Sequence, residues 1–373
     1  MSDQPTKARD HASLLAAFSD VVPALEACGS SLTASLSAWL GQAGIKVHSI
    51  VARVKDPASL ARKLARPDRD YVDLWDITDL LGLRVITYFE DAVDRVGGVI
   101  EAQLPIDLTR STDKRRRDPG LFGYRSLHYV VELDARLPSS ARAEIQVRSV
   151  LEHAWAEIEH DLGYKAPGAV PLPVRQRLSR LAGLLEIADR EFVSIRDELT
   201  AYEAALPSQI ADRTSDVVLD ELALRALVMS SDVEQLDLEI AAAHGHELGP
   251  EPFFPDYLLK MLLCAGLKTV SEVQEGLHHH AAEIVAMARP YFQFAWATWR
   301  LTPIRDERLL RGYAVFFLAH LHVTSGAGLQ LDKLERLARL YRELDYQNDP
   351  PAAHRVASRL LASLLDATKG KVA

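Results

Sequence analysis

Cysteine is scarce in this chain of 373 residues: Cys28 and Cys264 stand alone and far apart. That excludes a disulfide framework and a cysteine-based zinc site, and it points to a reducing cytoplasm. The start, Met1-Ser2-Asp3-Gln4, lacks the basic residues and apolar run of a signal peptide. The longest strongly apolar stretch, near residues 313–323, is about half of the ~20 residues that a bilayer span needs, so a soluble protein with no membrane partner is expected. Long blocks of one charge sign are missing too, which argues against disorder. The net charge of −9 excludes wholesale coating of nucleic acid but leaves room for a local basic patch.

What is present is an ordinary globular composition, 48% hydrophobic and 25% charged. The length suits two or three domains of about 150 residues each. Helical spacing of Leu14, Leu15, Phe18, Val21, Val22 and Leu25 predicts a first helix, and Leu32, Leu36, Trp39 and Leu40 a second that ends near Gly41. Residues 45–54 alternate as a strand. Asp56-Pro57 then supplies an N-cap and a first helical residue for a helix through Leu60 and Leu64. Residues 83–88 read as a buried strand, followed by a helix through Val93, Val96 and Ile100 that Gly97-Gly98 weakens. Residues 121–133 and 141–148 read as antiparallel strands, 149–162 as a helix.

After Pro171 and Pro173 a long helix carries Leu178, Leu181, Leu185, Ala188, Phe192, Ile195, Leu199 and Tyr202 on one stripe. A linker is expected at 207–215, and everything readable beyond it is helical, including 305–323. The expected fold class is therefore α+β: a mixed sheet flanked by helices over residues 1–205, then an all-α domain over 206–373.

Four clusters between residues 45 and 165 carry chemistry. Arg53 and Lys55 share a strand face, with Lys63 on the next helix. They suit a polyphosphate grip, or Arg53 a stack on a base; taken alone, they fit a solvated strand edge better. Asp79 precedes a buried strand that carries Arg84 in an apolar run, which requires either a functional role or a pair such as Asp79–Arg84. Tyr124, Ser126 and His128 share a face, preceded by the basic run Lys114-Arg115-Arg116-Arg117, which suits phosphate contacts beside a stacking ring. Glu144, Gln146 and Arg148 point one way, and Ile145 and Val147 the other. A carboxylate there, with Asp79 nearby, suits magnesium, or Glu144 serves as a base toward a hydroxyl.

Read together, Arg53-Val54-Lys55, Asp79-Leu80-Leu81-Gly82-Leu83-Arg84, Gly123-Tyr124-Arg125-Ser126-Leu127-His128 and Glu144-Ile145-Gln146-Val147-Arg148 resemble the synthetase domain of RelA/SpoT-type alarmone synthetases. The following helix, His153-Ala154-Trp155-Ala156-Glu157-Ile158-Glu159-His160, with Tyr164-Lys165, extends the likeness; it covers about a third of the chain. The resemblance implies a nucleotidyltransferase-like sheet and transfer of the β,γ-pyrophosphate of ATP to a ribose 3′-hydroxyl, with AMP leaving. It implies that Arg53 and Arg84 hold adenine, with Lys55 and Lys63 near the ATP phosphates. Asp79 and Glu144 would hold Mg²⁺ or, for Glu144, help deprotonate the hydroxyl. Tyr124 would stack on the acceptor base, supported by Ser126, His128, Gln146, Arg148 and the basic run.

Two departures from the family bear on the acceptor and on hydrolysis. About 45 residues precede the motifs, without a His…His-Asp pattern, so product hydrolysis is not expected. The acceptor loop lacks the Lys-Asp-Tyr-Ile and Pro-Lys-Pro-Asn elements of typical guanosine-tetraphosphate makers. Its basic form also resembles toxic small synthetases, some of which modify the tRNA 3′ end. The acceptor is then GDP or GTP, or tRNA in a fused toxin–antitoxin; an inactive nucleotide sensor is the reading from another class.

For the helical half, regulation, homo-oligomerisation or restraint released by a protein trigger all suit the sequence. His278-His279-His280, the pair His244/His246 and the His279/Glu283 spacing lack a third spaced ligand group, so metal is not expected there. Phe292, Phe294, Trp296, Trp299 and Phe316-Phe317 are expected in the core.

Overall fold

The computed structural model describes residues 11–67, 70–113, 126–133, 137–162, 171–212, 216–302, 304–305, 308–325 and 329–369. The chain divides into two compact units, Met1–Asp197 and Glu198–Ala373. The first contains α1 (His11–Gln42), β1 (Val47–Val54), α2 (Pro57–Leu64), β2 (Leu81–Thr87), α3 (Asp91–Gln103), β3 (Thr112–Asp113), β4 (Leu127–Glu132), β5 (Arg142–Ser149) and α4 (Val150–Asp161). A long helix, α5 (Leu172–Asp212), contributes to both units.

The first unit is a five-stranded mixed sheet in the order β1-β2-β5-β4-β3. Only β2 and β5 run parallel; the other neighbours are antiparallel. Period two sends Leu81, Leu83, Val85, Ala143, Ile145 and Val147 to one face, where they are buried with Leu14, Phe18, Leu25, Leu36 and Leu40 of α1. The opposite face receives Arg53, Arg84, Glu144, Gln146 and His128.

α1 is one helix, not the two expected, and Pro23 lies inside it. Gly29 does not end the helix; it lets the helix approach the sheet, since a Cβ there would sit 3.1 Å from both Ala52 and Leu81 side chains. By length and composition α1 also satisfies what a membrane span requires, a run that the sequence reading did not find. Here its apolar residues belong to the core under the sheet.

Helix ends follow local chemistry. Asp56 accepts a hydrogen bond from Ser59 N at 2.9 Å and Pro57 opens α2. Ser149 and Glu152 cap α4 reciprocally, Glu152 N donating to Ser149 Oγ at 3.1 Å and Ser149 N to Glu152 Oε2 at 3.2 Å. On α5, Leu178 and Ala182 bury against Trp155 of α4, whereas Leu181, Leu184, Phe192, Ile195 and Leu199 are exposed. The helix continues through Pro207 to Asp212, so most of the expected linker is helical; its last residues, 213–215, lie outside the described set.

The second unit holds α6 (Glu221–Val228), α7 (Ser231–Ala243), β6 (Glu247–Pro252), α8 (Pro255–Ala265), α9 (Val270–His279), α10 (Ala281–Trp299), β7 (Ile304–Arg305), β8 (Arg308–Arg311), α11 (Tyr313–Thr324), α12 (Gln330–Leu344) and α13 (Pro350–Lys369). It is the helical module that the sequence implied, with a small sheet in the order β6-β8-β7 set into it. Arg305 and Arg308–Arg311, expected in a helix, lie in strands of that sheet, and α11 begins only after Gly312, whose φ is 96°. Almost all of α11 is buried, from Tyr313 through His320. The buried carboxylate of Asp237 meets its N-terminus, accepting from Gly312 N at 2.6 Å and Ala314 N at 2.8 Å. Phe294, Phe316 and Phe317 are core as expected, but Trp296 is largely exposed.

Candidate active site

Two polar rows cross the outer face of the sheet. Cα pairing sets Arg53, Gly82, Glu144 and Val130 side by side, and next to them Val51, Arg84, Gln146, His128 and Thr112. Within these rows the side chains form a connected chain. His128 donates from Nδ1 to Glu144 Oε1 at 2.7 Å, Gln146 Nε2 donates to Glu144 Oε2 at 2.9 Å, and Arg148 donates to Gln146 Oε1. His128 and Arg148 are buried, and the Glu144 side chain is 24% exposed, so the carboxylate sits at the mouth of the network. Two donors on a carboxylate that is only partly exposed fix its orientation, since leaving a desolvated acceptor unpaired costs about 1–3 kcal/mol.

The second cluster lies where β1 ends and β2 begins, tied together by Lys55 N donating to Leu80 O at 2.8 Å. Lys55 Nζ reaches Asp79 Oδ2 at 2.6 Å, and Lys63 Nζ reaches Asp79 Oδ1 at 2.7 Å. Burial works against ionisation of Asp79. The hydrogen bonds and charges of the two lysines outweigh it and hold the carboxyl below its usual range.

Arg84 does not pair with Asp79. Its neighbours Leu83 and Val85 enter the core, so the guanidinium emerges on the opposite face and pairs with Glu157 of α4 at 2.9 Å. Glu157 is a site residue that the sequence reading passed over. Its signal was the register of α4: the capped helix starts at the end of β5, and His153 and Glu157, one turn apart, share one helix face. Burial first, then the charge of Arg148, lowers the basicity of His153.

The other expected residues distribute as follows. Arg53 is exposed at the edge strand. Ser126, just before β4, is buried, and its hydroxyl has no hydrogen-bond partner among the described residues. Tyr124, the run Lys114-Arg115-Arg116-Arg117, Tyr164 and Lys165 lie outside the described residues. Among the described residues, no group of three or more His, Cys, Asp or Glu has the arrangement of a metal cluster. In the second unit His279 and His280 pack edge to face, and His280 lies 3.9 Å from Glu283.

The first unit thus holds one carboxylate between two lysines and a second carboxylate gripped by a histidine and a glutamine, groups whose chemistry suits phosphate binding and proton acceptance. Residues 52–169 match the family described as the region found in RelA / SpoT proteins. The chain is 30% identical over 162 residues to the GTP pyrophosphokinase YjbM of Bacillus subtilis, covering 43% of this chain and 76% of that relative. It is 28% identical over 154 residues to YwaC, a second GTP pyrophosphokinase of that organism, covering 40% and 73%. Among solved structures, small alarmone synthetase 1 from Bacillus subtilis bound to its product pppGpp aligns at 27% identity. The TM-score is 0.43, over 48% of this chain and 96% of the other. The chain belongs to the RelA/SpoT family and is a pyrophosphotransferase.

Proposed function

We propose that this protein transfers the β,γ-pyrophosphate of ATP to the 3′-hydroxyl of GDP or GTP. The observation that carries the reading is the linked arrangement of His128, Glu144 and Gln146 on the same sheet face as Arg53 and Arg84. Relatives that share this segment are GTP pyrophosphokinases.

In this reading Lys55 and Lys63 turn from Asp79 to the phosphates of ATP, and Arg53 and Arg84 flank the base. Glu144 takes the proton of the attacking hydroxyl, and His128 and Gln146 hold it in position to do so. Phosphoryl chemistry leaves the protein little covalent work, so positioning and charge neutralisation supply most of the acceleration.

A divalent cation fits the donor set in kind: with Lys55 and Lys63 turned to the phosphates, Asp79 offers a hard carboxylate that no longer faces two ammonium groups. Asp79 would hold Mg²⁺, with Glu144 completing the site in the alternative where it is not the base, and the bound ion neutralises phosphate oxygens.

The test is to incubate the full chain with γ-radiolabelled ATP and Mg²⁺, offering GDP, GTP, ATP and bulk tRNA separately. Label on a guanosine nucleotide is the expected result. Label on tRNA alone would replace the acceptor with the one that the basic run Lys114-Arg115-Arg116-Arg117 favours. Label on no acceptor would leave a nucleotide-binding protein without transfer.

A further inference from the structure

The second unit contains a cavity of about 550 Å³, within the range of small-molecule sites. Its walls are aromatic: Phe253, Phe254, Tyr257, Tyr291 and Trp299 are among the side chains that line it. Part of the aromatic set expected as plain core therefore surrounds a space. Phe253 sits amid the wall, its ring 4.8 Å from Tyr313 and 5.4 Å from Phe316.

Charge in the lining is of one sign. Asp345 is the acidic group, and no Lys, Arg or His is found among the described residues of the wall. Tyr257 donates its hydroxyl to Asp345 Oδ2 at 2.8 Å. Burial first, and then the Asp345 charge, raises the Tyr257 phenol above its ordinary range, so it stays a donor. Trp299 Nε1 likewise donates to the Tyr346 hydroxyl at 2.9 Å, which fixes that ring in the wall.

The rim bears a further mark. Phe254 adopts φ 22°, a conformation that bulky side chains avoid, and the residue is 67% exposed. An exposed, strained phenylalanine over an aromatic cavity gains burial when the cavity is filled.

We infer that this cavity binds an organic cation with a flat apolar body, the ring faces receiving the body and Asp345 the positive charge. Aromatic faces and a carboxylate both attract a cation. The same wall repels phosphates, so neither ATP nor a pyrophosphorylated product is the ligand. The site lies within the second unit and does not depend on the acceptor assigned to the first.

The test uses the full chain and three probes with one naphthalene body: 2-naphthylmethyl-trimethylammonium, 2-naphthylmethanol and 2-naphthylacetate, titrated by calorimetry. The ammonium is expected to bind saturably, the alcohol about tenfold more weakly, and the acetate not at all. Asp345→Asn should remove the preference for the ammonium while leaving the alcohol unchanged. Ala295→Leu, which fills the cavity from its wall, should weaken both. Equal binding of all three probes, or no saturable binding of any, overturns the inference. The wild-type comparison needs no variant, so misfolding cannot conceal that result.

Discussion

His128 and Glu144, 16 residues apart in sequence, meet across the β4–β5 ladder with Nδ1 2.7 Å from Oε1. Their Cα atoms are not direct partners: His128 lies opposite Gln146, and Glu144 opposite Val130. The contact is diagonal, made on one face of the sheet, and it leaves the carboxylate gripped on both oxygens.

Glu144→Gln is expected to reduce pyrophosphate transfer at least about 100-fold, the usual worth of a positioned base. His128→Ala should cost less, because it removes orientation and not the carboxylate. Turnover measured by product formation, with circular dichroism to confirm folding, checks both. Wild-type turnover in Glu144→Gln would sink the assignment.

Lys63→Ala removes one of the two cations on Asp79. Such a partly exposed ion pair contributes at most about 1 kcal/mol, so the melting temperature should scarcely move. KM for ATP should rise about tenfold, as a phosphate contact of order 1–2 kcal/mol disappears. A variant that melts early but keeps its KM would mean the lysine is structural.

Gly97 and Gly98 are neighbours in α3 with opposite expected responses. A Cβ on Gly97 would lie 2.9 Å from Leu127 Cδ2 and 3.1 Å from the Tyr129 hydroxyl, whereas one on Gly98 meets nothing within 4 Å. Gly97→Ala should destabilise by roughly 1–3 kcal/mol through overpacking. Gly98→Ala should stabilise by up to about 1 kcal/mol, the difference in helix propensity. Urea titrations of the two variants decide it.

Two buried groups of the second unit give opposing pH dependences. His320 donates Nδ1–H to Phe316 O at 3.0 Å and accepts at Nε2 from the Tyr341 hydroxyl at 3.0 Å. Burial pushes its pKa down from 6.5 to about 4. Its contribution is present above pH 6.5 and is lost as pH falls toward about 4. Asp237 is the reverse: burial raises it from 3.8 to about 7, against the hydrogen bonds from Gly312 and Ala314. That contribution is complete below pH 3.8 and is lost as pH rises through about 7. In urea midpoints against pH, His320→Gln should therefore lose the acid-side fall, and Asp237→Asn the fall toward neutrality. Unchanged profiles in both variants would contradict the assignment.

Much of the first unit was legible because its signals are local. Asp56-Pro57 supplies a helix cap and first residue, the apolar run from Leu83 reads as a buried strand, and alternation through Glu144–Arg148 separates a core face from a polar one. Alternation also indicated that Glu144, Gln146 and Arg148 share a face. The errors arose where local chemistry gives no direction. The stretch between Leu25 and Leu32 and the linker expected from Pro207 both lie inside helices, and the short strands Ile304–Arg305 and Arg308–Arg311 carry too few residues to display a period.

By itself, then, the sequence determined the family, the polar face of the sheet and the identity of its carboxylates, because residue type and period two are properties of the chain. Partner choice was decided only by tertiary structure. Arg84 could have met Asp79, but strand order and the placement of α4 gave it Glu157, while Asp79 received Lys55 and Lys63. The aromatic residues of the second unit were equally readable as core. Whether they close on one another or around a space depends on how α8, α10, α11 and the end of α12 pack, and packing is a property of side chains brought together from distant points in the chain.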